Sequence, residues 1–447
     1  MKKTEFNLTP ARAIAISFIC VIALGTVILM MPFSARDGSF TPFVNALFVA
    51  VSSTCVTGLS VYDTFSHWST VGQVVILVLI QIGGLGFMTL MTMLSMFLHQ
   101  KIGLGKRKIL MQSAGNLTLS GIGSLIRRIV LGTVVFEVVG AVILATQFIP
   151  ALGSIGKGIY FSVFHSVSAF CNAGFDLMGY FEPSSSLTLF GNNVVVNLTI
   201  MMLIITGGIG FIVWSDIAKF GIHLKKYSLH SKIVLSATCI LVVGGAGLFL
   251  LFEYNHAFAD MTFAQKIMYA FFQSVTTRTA GFNTFDLTTL SESGNILTNL
   301  LMFIGGSPGS TAGGIKTTTF ALLLLACVAS SKNDRSVRVF HYRIEENTVR
   351  EASSIAFIYL MMAIISCLII CAIEPFGIKE IMFEVISAIG TVGLTLGITP
   401  LLTTASKLIL AVLMFAGRIG GLTFILTLSE REKQIPIERP VGKILIG

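Results

Sequence analysis

Charged residues are scarce in this chain. Asp, Glu, Lys and Arg together make up 11% of the 447 residues, whereas 54% are hydrophobic and the mean hydropathy is +0.87. Soluble globular proteins carry about a quarter charged residues, so this composition excludes a soluble domain and predicts a polytopic membrane protein. Eight apolar runs are long enough to cross a bilayer, at about 13–33, 72–98, 125–149, 193–215, 233–253, 297–329, 354–373 and 404–428.

Motifs for catalysis and for nucleotide or metal binding are also missing. No G-x-G-x-x-G follows a strand pattern, and the seven cysteines show no C-x-x-C spacing. The stretch GGSPGSTAGGIKT at 305–317 approaches a phosphate-binding loop, but Ile315 separates Gly314 from Lys316 and both flanks are apolar over helical lengths. We therefore expect neither an enzyme nor a bound cofactor.

Basic residues account for the net charge of +9 and are concentrated in alternate segments between the apolar runs. Lys and Arg cluster before the first apolar run, within 101–108, 219–232 and 332–350, and after the last run. Because cytoplasmic loops carry the excess of Lys and Arg, these segments and both termini are predicted to be cytoplasmic. The basic balance is thus a topology signal, and we expect no nucleic-acid partner.

Four short apolar stretches between the long runs share one pattern. They read FVAVSSTCVTGLS, FHSVSAFCNAGFD, FQSVTTRTAGFNT and FEVISAIGTVGLT. A Phe stands ten residues before a Gly each time, which pairs Phe48 with Gly58, Phe164 with Gly174, Phe271 with Gly281 and Phe383 with Gly393; Phe271 lies one position ahead of the quoted third stretch. Small residues also serve close helix packing, but four matches in the same slot favour four tandem repeats of about 110 residues.

These stretches are too short to span a bilayer and are typical of re-entrant helices. Irregular backbone at membrane depth is tolerated only where it is buried in protein or lines a water-filled cavity. A ring of carbonyls there can replace the hydration shell of a cation. The sequence therefore predicts an all-α membrane protein with eight spanning and four re-entrant pore helices around one central pore. The helix–pore loop–helix repeats are assigned to 1–110, 111–222, 223–345 and 346–430, followed by a tail at 431–447.

The motifs CVTGL, CNAGF, RTAGF and TVGLT in four such units resemble the ion-translocating subunits of the Trk/Ktr/HKT superfamily of potassium transporters, and among these the Ktr-type membrane subunit. The resemblance implies K⁺ uptake driven by membrane potential, with a Na⁺-selective or Na⁺-coupled transporter of the same fold as the alternative. It also implies a homodimer in the lipid bilayer of the cell membrane, with the tail at the subunit interface. A cytosolic ring of nucleotide-binding, RCK-type subunits would regulate it.

The resemblance further implies a filter and a gate. The filter would use mainly the backbone carbonyls of Val56, Thr57, Gly58, Asn172, Ala173, Gly174, Thr279, Ala280, Gly281, Thr391, Val392 and Gly393. The intramembrane gate loop would comprise Gly305, Gly306, Ser307, Pro308, Gly309, Ser310, Thr311, Ala312, Gly313 and Gly314, unless this stretch is only a kink that helps packing. Arg418 would face the pore beneath the filter and contact the loop. Lys316 would either do the same or extend to the lipid headgroups.

Overall fold

A computed structural model describes residues 10–86, 122–334 and 336–420. In the first repeat the helices are α1 (Pro10–Met30), α2 (Phe43–Thr54), α3 (Thr64–His67) and α4 (Thr70–Leu85). The second contains α5 (Ile122–Leu152), α6 (Ile155–Phe170), α7 (Val194–Gly208) and α8 (Phe211–Phe220). The third contains α9 (Leu229–Glu253), α10 (Phe263–Thr276), α11 (Glu292–Phe303) and α12 (Thr317–Ser331). The fourth contains α13 (Glu346–Ile373), α14 (Ile378–Gly390) and α15 (Thr404–Ile419).

The same order recurs in every quarter of the chain: a long incoming helix, a short pore helix and an outgoing helix. This order confirms the predicted all-α fold; within the described ranges the strands form one hairpin of β1 (Arg338–Val339) and β2 (Tyr342–Arg343). The incoming helices are long and apolar enough to cross a membrane, at Arg12–Met30, Arg127–Leu152, Leu229–Glu253 and Glu346–Ile373. The full count of eight spans stays a prediction, because the described parts of the outgoing helices are short or bent.

Two outgoing helices are interrupted within the described residues, and the described parts of the other two end at a glycine. The predicted span at 193–215 is bent, since α7 and α8 meet at 98° about Gly210, whose φ is 93°. The described part of α4 ends before Gly86 (φ 80°), and α15 ends before Gly420 (φ 92°). Glycine adopts this positive φ readily, and a helix cannot continue through it. The third break, between α11 and α12, was predicted. Residues 87–98 and 421–428, expected to continue two of these spans, lie outside the described residues.

The third pore helix corrects the predicted register of the repeats. Phe272 is 1% exposed, as deeply buried as Phe48, Phe164 and Phe383, whereas Phe271 is only partly buried. Phe272 is therefore the true counterpart, and the third repeat has one residue fewer between this Phe and the filter glycine. The physical reason is a shorter link: the Ala280 N–H bonds to a carbonyl four residues back, whereas the other repeats reach five residues back.

Candidate ion pathway

The pore helices end at the four predicted filter segments. Helices α2, α6, α10 and α14 end just before Val56, Asn172, Thr279 and Thr391, and each of these residues has a positive φ, between 52° and 73°. Such residues rarely adopt this conformation, so its fourfold occurrence marks a constrained backbone. The C-terminal ends of the helices carry partial negative charge, and all four are directed at this one place.

The four filter glycines form a closed ring. A Cβ placed on Gly58 would lie 2.5 Å from the carbonyl oxygen of Ala173 in the next repeat. The same relation links Gly174 to the Ala280 carbonyl (2.7 Å), Gly281 to the Val392 carbonyl (2.5 Å) and Gly393 to the Thr57 carbonyl. The repeats therefore follow one another in chain order around a common axis, and any side chain at these positions would displace a neighbouring carbonyl.

A Ser or Thr four residues after the buried Phe braces each filter segment. The carbonyl of Ser52 accepts the N–H of Thr57 at 2.8 Å, and its hydroxyl accepts the N–H of Gly58 at 3.1 Å. Ser387 does the same for Val392 (2.9 Å) and Gly393 (3.0 Å). In the other two repeats the hydroxyls of Ser168 and Thr276 donate to the carbonyls of Phe175 and Phe282, each at 2.6 Å. These hydrogen bonds fix the backbone that presents the carbonyls.

A cavity of about 170 Å³ is lined by residues that follow the predicted filter segments in the chain. All four filter glycines line it, together with the carboxylates of Asp63 and Asp176. Burial, reinforced by the charge of Asp63, raises the pKa of Asp176 to about 7, although the Met178 N–H donates to this carboxylate. The mouth of the ring therefore carries a negative charge that varies near neutral pH.

On the opposite side, the predicted gate loop is bound to the second repeat. The N–H groups of Ser307 and Thr311 donate to the carbonyls of Gly208 (3.0 Å) and Gly207 (3.3 Å). The Thr311 hydroxyl donates to the carbonyl of Phe170, two residues before the filter, at 3.1 Å. Ser307 and Thr311 are fully buried. The loop is thus packed against the end of the second pore helix.

The loop also contacts the fourth repeat and closes on itself. Gly314 donates its N–H to the carbonyl of Gly417 at 3.2 Å, and a Cβ on Gly313 would overlap the side chain of Thr391. The Gly305 N–H bonds to the Ile315 carbonyl at 2.8 Å, which joins the two ends of the loop.

Two cations hold this loop. The guanidinium of Arg418 donates to the carbonyls of Thr311, Gly83 and Gly84, so it joins the first, third and fourth repeats. The Lys316 ammonium donates to the Ala312 carbonyl at 2.8 Å, so this side chain also contacts the loop. Both positive charges lie beneath the filter in the described structure.

Comparison with known proteins identifies the family. Residues 2–436 match the family model of TrkH, a cation transport protein. The chain belongs to the TrkH family. This TrkH-family chain is similar to the potassium/sodium uptake protein NtpJ of Enterococcus hirae, with 42% identity covering 100% of this chain and 99% of the relative. It is also similar to the Ktr system potassium uptake protein B of Bacillus subtilis, with 38% identity covering 98% and 97%.

The solved structures agree with the fold. The crystal structure of the potassium transporter TrkH from Vibrio parahaemolyticus matches with a TM-score of 0.73 and 19% identity, over 95% of this chain and 86% of that chain. The resemblance inferred from the pore-loop motifs is confirmed, and the TrkH-family chain is a multi-pass membrane protein of a cation transport family.

Two sets of residues in the TrkH-family chain escaped the sequence reasoning. The first is the bracing set of Ser52, Ser168, Thr276 and Ser387, which aligns once the repeats are superposed on their buried Phe. The second is a set of three glycines near the C-terminal ends of outgoing helices. A Cβ on Gly83, Gly207 or Gly417 would overlap the carbonyl of Thr54, Phe170 or Ile389, respectively. Each of these three outgoing helices therefore rests directly on the end of a pore helix.

Proposed function

We propose that this chain is the ion-translocating subunit of a K⁺ uptake system, in which membrane potential drives K⁺ through the four-carbonyl ring. The observation that carries the proposal is the cyclic contact of the four filter glycines, each against a carbonyl of the next repeat. The names of the relatives, which describe potassium uptake, support the choice of ion.

In this proposal the carbonyls of the twelve filter residues replace the water around K⁺. The pore-helix ends add negative potential at the same place. The acidic cavity formed with Asp63 and Asp176 concentrates cations at the mouth. The bracing hydrogen bonds keep the carbonyls in position when the ion enters and leaves.

The loop at 305–314 is the proposed gate, in its closed position. The Arg418 guanidinium places a fixed positive charge beneath the filter and cross-links three repeats through carbonyls. A cation leaving the filter meets this charge and the packed loop together. Opening would break the loop's hydrogen bonds to Gly207 and Gly208 and move Arg418 off the axis.

The relatives' designation as parts of a Ktr system supports a second component. We propose a homodimer in the cell membrane, with both termini cytoplasmic and a ring of nucleotide-binding, RCK-type subunits on that side. The basic segments 219–232 and 332–350, the latter including the β1–β2 hairpin, are the proposed docking elements. The tail at 431–447, expected at the dimer interface, lies outside the described residues.

A second candidate is a Na⁺-selective or Na⁺-coupled transporter of the same fold. It is favoured by one observation, the name of the Enterococcus relative, which includes sodium.

The test is cation flux into proteoliposomes that contain this chain alone, under an imposed negative-inside potential. Entry of K⁺ and Rb⁺ well above that of Na⁺ is the expected result. Equal or greater Na⁺ entry would support the sodium candidate. Absence of flux in the wild type, persisting after the loop deletion described below, would contradict both.

A further inference from the structure

A groove of about 430 Å³ opens on the outer face of the second repeat. It exists because the 98° bend turns α8 away from the line of α7, while α5 continues straight beside them. Its lining includes Arg128, Gly132, Phe136, Thr206, Trp214 and Ile217. The groove is therefore a gap between a spanning helix and a helix that lies across it.

The groove is apolar along its length and basic at one end. Leu131 and Val135 on α5 are 63% and 52% exposed within it, whereas Arg128 lines its end one turn away. Neither Arg127, which precedes Arg128, nor Lys219 at the end of α8 lines the groove.

Acidic groups do not balance this charge. Asp216 on α8 accepts hydrogen bonds from Ser228 and Ser231, at 2.6 and 2.7 Å, so its carboxylate is directed away from the groove. The salt bridges found among the described residues are Arg343–Glu346 and Lys379–Glu292, so no acid there is paired with Arg128. The basic end is left for a ligand of opposite charge.

We propose that the groove binds an anionic glycerophospholipid, with an acyl chain along the apolar wall and the phosphate at Arg128. The ligand must be amphipathic, because the site joins lipid-facing apolar side chains to a single basic end. Basic pockets between membrane helices favour anionic headgroups, at about 1 kcal/mol per Lys or Arg. The proposal does not depend on which ion the protein carries.

The floor of the groove connects it to the loop beneath the filter. The Trp214 ring packs on Phe136 and Phe170, with centroid distances of 5.0 and 5.6 Å. The Phe170 carbonyl accepts the Thr311 hydroxyl, and the Phe211 N–H donates to the Gly309 carbonyl at 2.8 Å. A bound lipid therefore supports α8, which holds the loop; this regulatory consequence rests on the proposed gate.

Tryptophan fluorescence can test occupancy without any transport assay. The chain has two tryptophans, Trp68 and Trp214. Trp68 is fully buried and its indole N–H has no hydrogen-bond partner in the described structure, so Trp68→Phe removes it without breaking a polar contact. Trp214 is then the only tryptophan, and it lies in the groove.

The full-length Trp68→Phe protein would be placed in phosphatidylcholine vesicles that contain equal fractions of acyl-brominated phosphatidylglycerol or acyl-brominated phosphatidylcholine. Bromine quenches a tryptophan that it contacts. We expect phosphatidylglycerol to bind about fivefold more tightly, the ratio that about 1 kcal/mol produces. Adding Arg128→Gln should reduce the ratio to near one, whereas the adjacent control Arg127→Gln should retain it.

Three results would overturn the proposal. Equal quenching by the two lipids would mean ordinary boundary lipid. Equal loss of preference in the Arg127 and Arg128 variants would mean a diffuse surface charge. No quenching by either lipid would mean that protein, such as a second copy of this chain, covers the groove. None of these readings requires K⁺ flux, so failure here is distinguishable from failure of the proposed function.

Discussion

The Arg418 guanidinium donates to the carbonyl of Thr311, 107 residues earlier in the chain, and the same side chain reaches Gly83 and Gly84 in the first repeat. One side chain thus restrains the loop and places a positive charge beside it. In the proposed pathway the two effects would act in the same direction, because each would oppose the exit of a cation.

Replacing Arg418 should therefore increase flux. Arg418→Gln removes the charge; at an effective dielectric of about 20, one charge acts on a passing ion by about 2 kcal/mol at about 8 Å. We expect up to roughly thirtyfold faster Rb⁺ uptake in proteoliposomes, the factor that about 2 kcal/mol produces, with unchanged preference for K⁺ over Na⁺. Arg343→Gln, at an exposed surface pair, is the control. A folded Arg418→Gln protein with slower uptake would show that this arginine does not hold the pathway closed.

The ring of glycines should determine ion preference. In Gly281→Ser the new Cβ lies 2.5 Å from the Val392 carbonyl at a φ of 79°, so the carbonyl must move. We expect Na⁺ to compete more strongly with Rb⁺ uptake. The control Gly247→Ser introduces a Cβ with nothing within 4 Å and should leave competition unchanged. If both variants show the same competition by Na⁺, the ring is not the filter.

Deletion of Ser307–Thr311 should open the loop. Gly306 and Ala312 lie so close that a Cβ on Gly306 would overlap that of Ala312, so the ends can be joined with little movement. The deletion removes the contacts to Gly207 and Phe170. We expect higher flux from the chain alone and less dependence on a cytosolic partner, with K⁺ over Na⁺ preference as the internal control. A folded deletion protein that transports no faster would contradict the gate.

The contact between outgoing and pore helices should be a stability determinant. Gly207→Ala places a methyl group on the Phe170 carbonyl, and overpacking of this kind costs about 2–3 kcal/mol. We expect a fall of several degrees in the apparent melting temperature in detergent. Gly244→Ala, in α9 with no atom within 4 Å, should be neutral or gain up to about 1 kcal/mol. Equal melting temperatures for the two variants would refute the contact.

External pH should control uptake through Asp176. Because its pKa is raised to about 7, this carboxyl is neutral below that pH and the mouth loses a negative charge. We expect uptake to decline as external pH falls from about 8 to about 6, and Asp176→Asn to give low, pH-independent uptake. The control Asp260→Asn, at an exposed loop, should keep the wild-type profile. An unchanged pH profile in Asp176→Asn would exclude this carboxyl.

The same raised pKa has a consequence for folding. A carboxyl that titrates higher in the folded protein than in the unfolded chain stabilises the fold fully below its unfolded pKa, and this contribution is lost as pH rises through about 7. Asp176→Asn should therefore flatten the pH dependence of the apparent melting temperature over this range.

Local signals in the sequence were sufficient to locate the pore loops. Four short apolar stretches, each followed by a glycine, indicated where the pore helices end. The Phe271–Phe272 pair could not be resolved by spacing, because either ring fits a ten-residue interval within one position; burial in the folded protein decides for Phe272.

Features that depend on distant parts of the chain were not predictable. The apolar run at 193–215 continues without interruption through Gly210, so hydropathy conceals the bend that its positive φ produces. The break in the helix at 305–314 was predicted from the glycines and Pro308 within that stretch. The resemblance implied that Arg418 contacts the loop, but the individual carbonyls that it reaches, including those of the first repeat, were not predictable, because a backbone carbonyl has no side-chain signature in a sequence.

The four glycines of the closed ring belong to four separate repeats of one polypeptide, so each is encoded by its own codon. In an assembly of identical subunits, one codon change alters every quarter of such a ring at once. Here a codon change alters a single quarter, and the carbonyl nearest to the new side chain belongs to one neighbouring quarter. Under the proposed function, ion preference could therefore be graded in steps, and the four quarters are free to diverge.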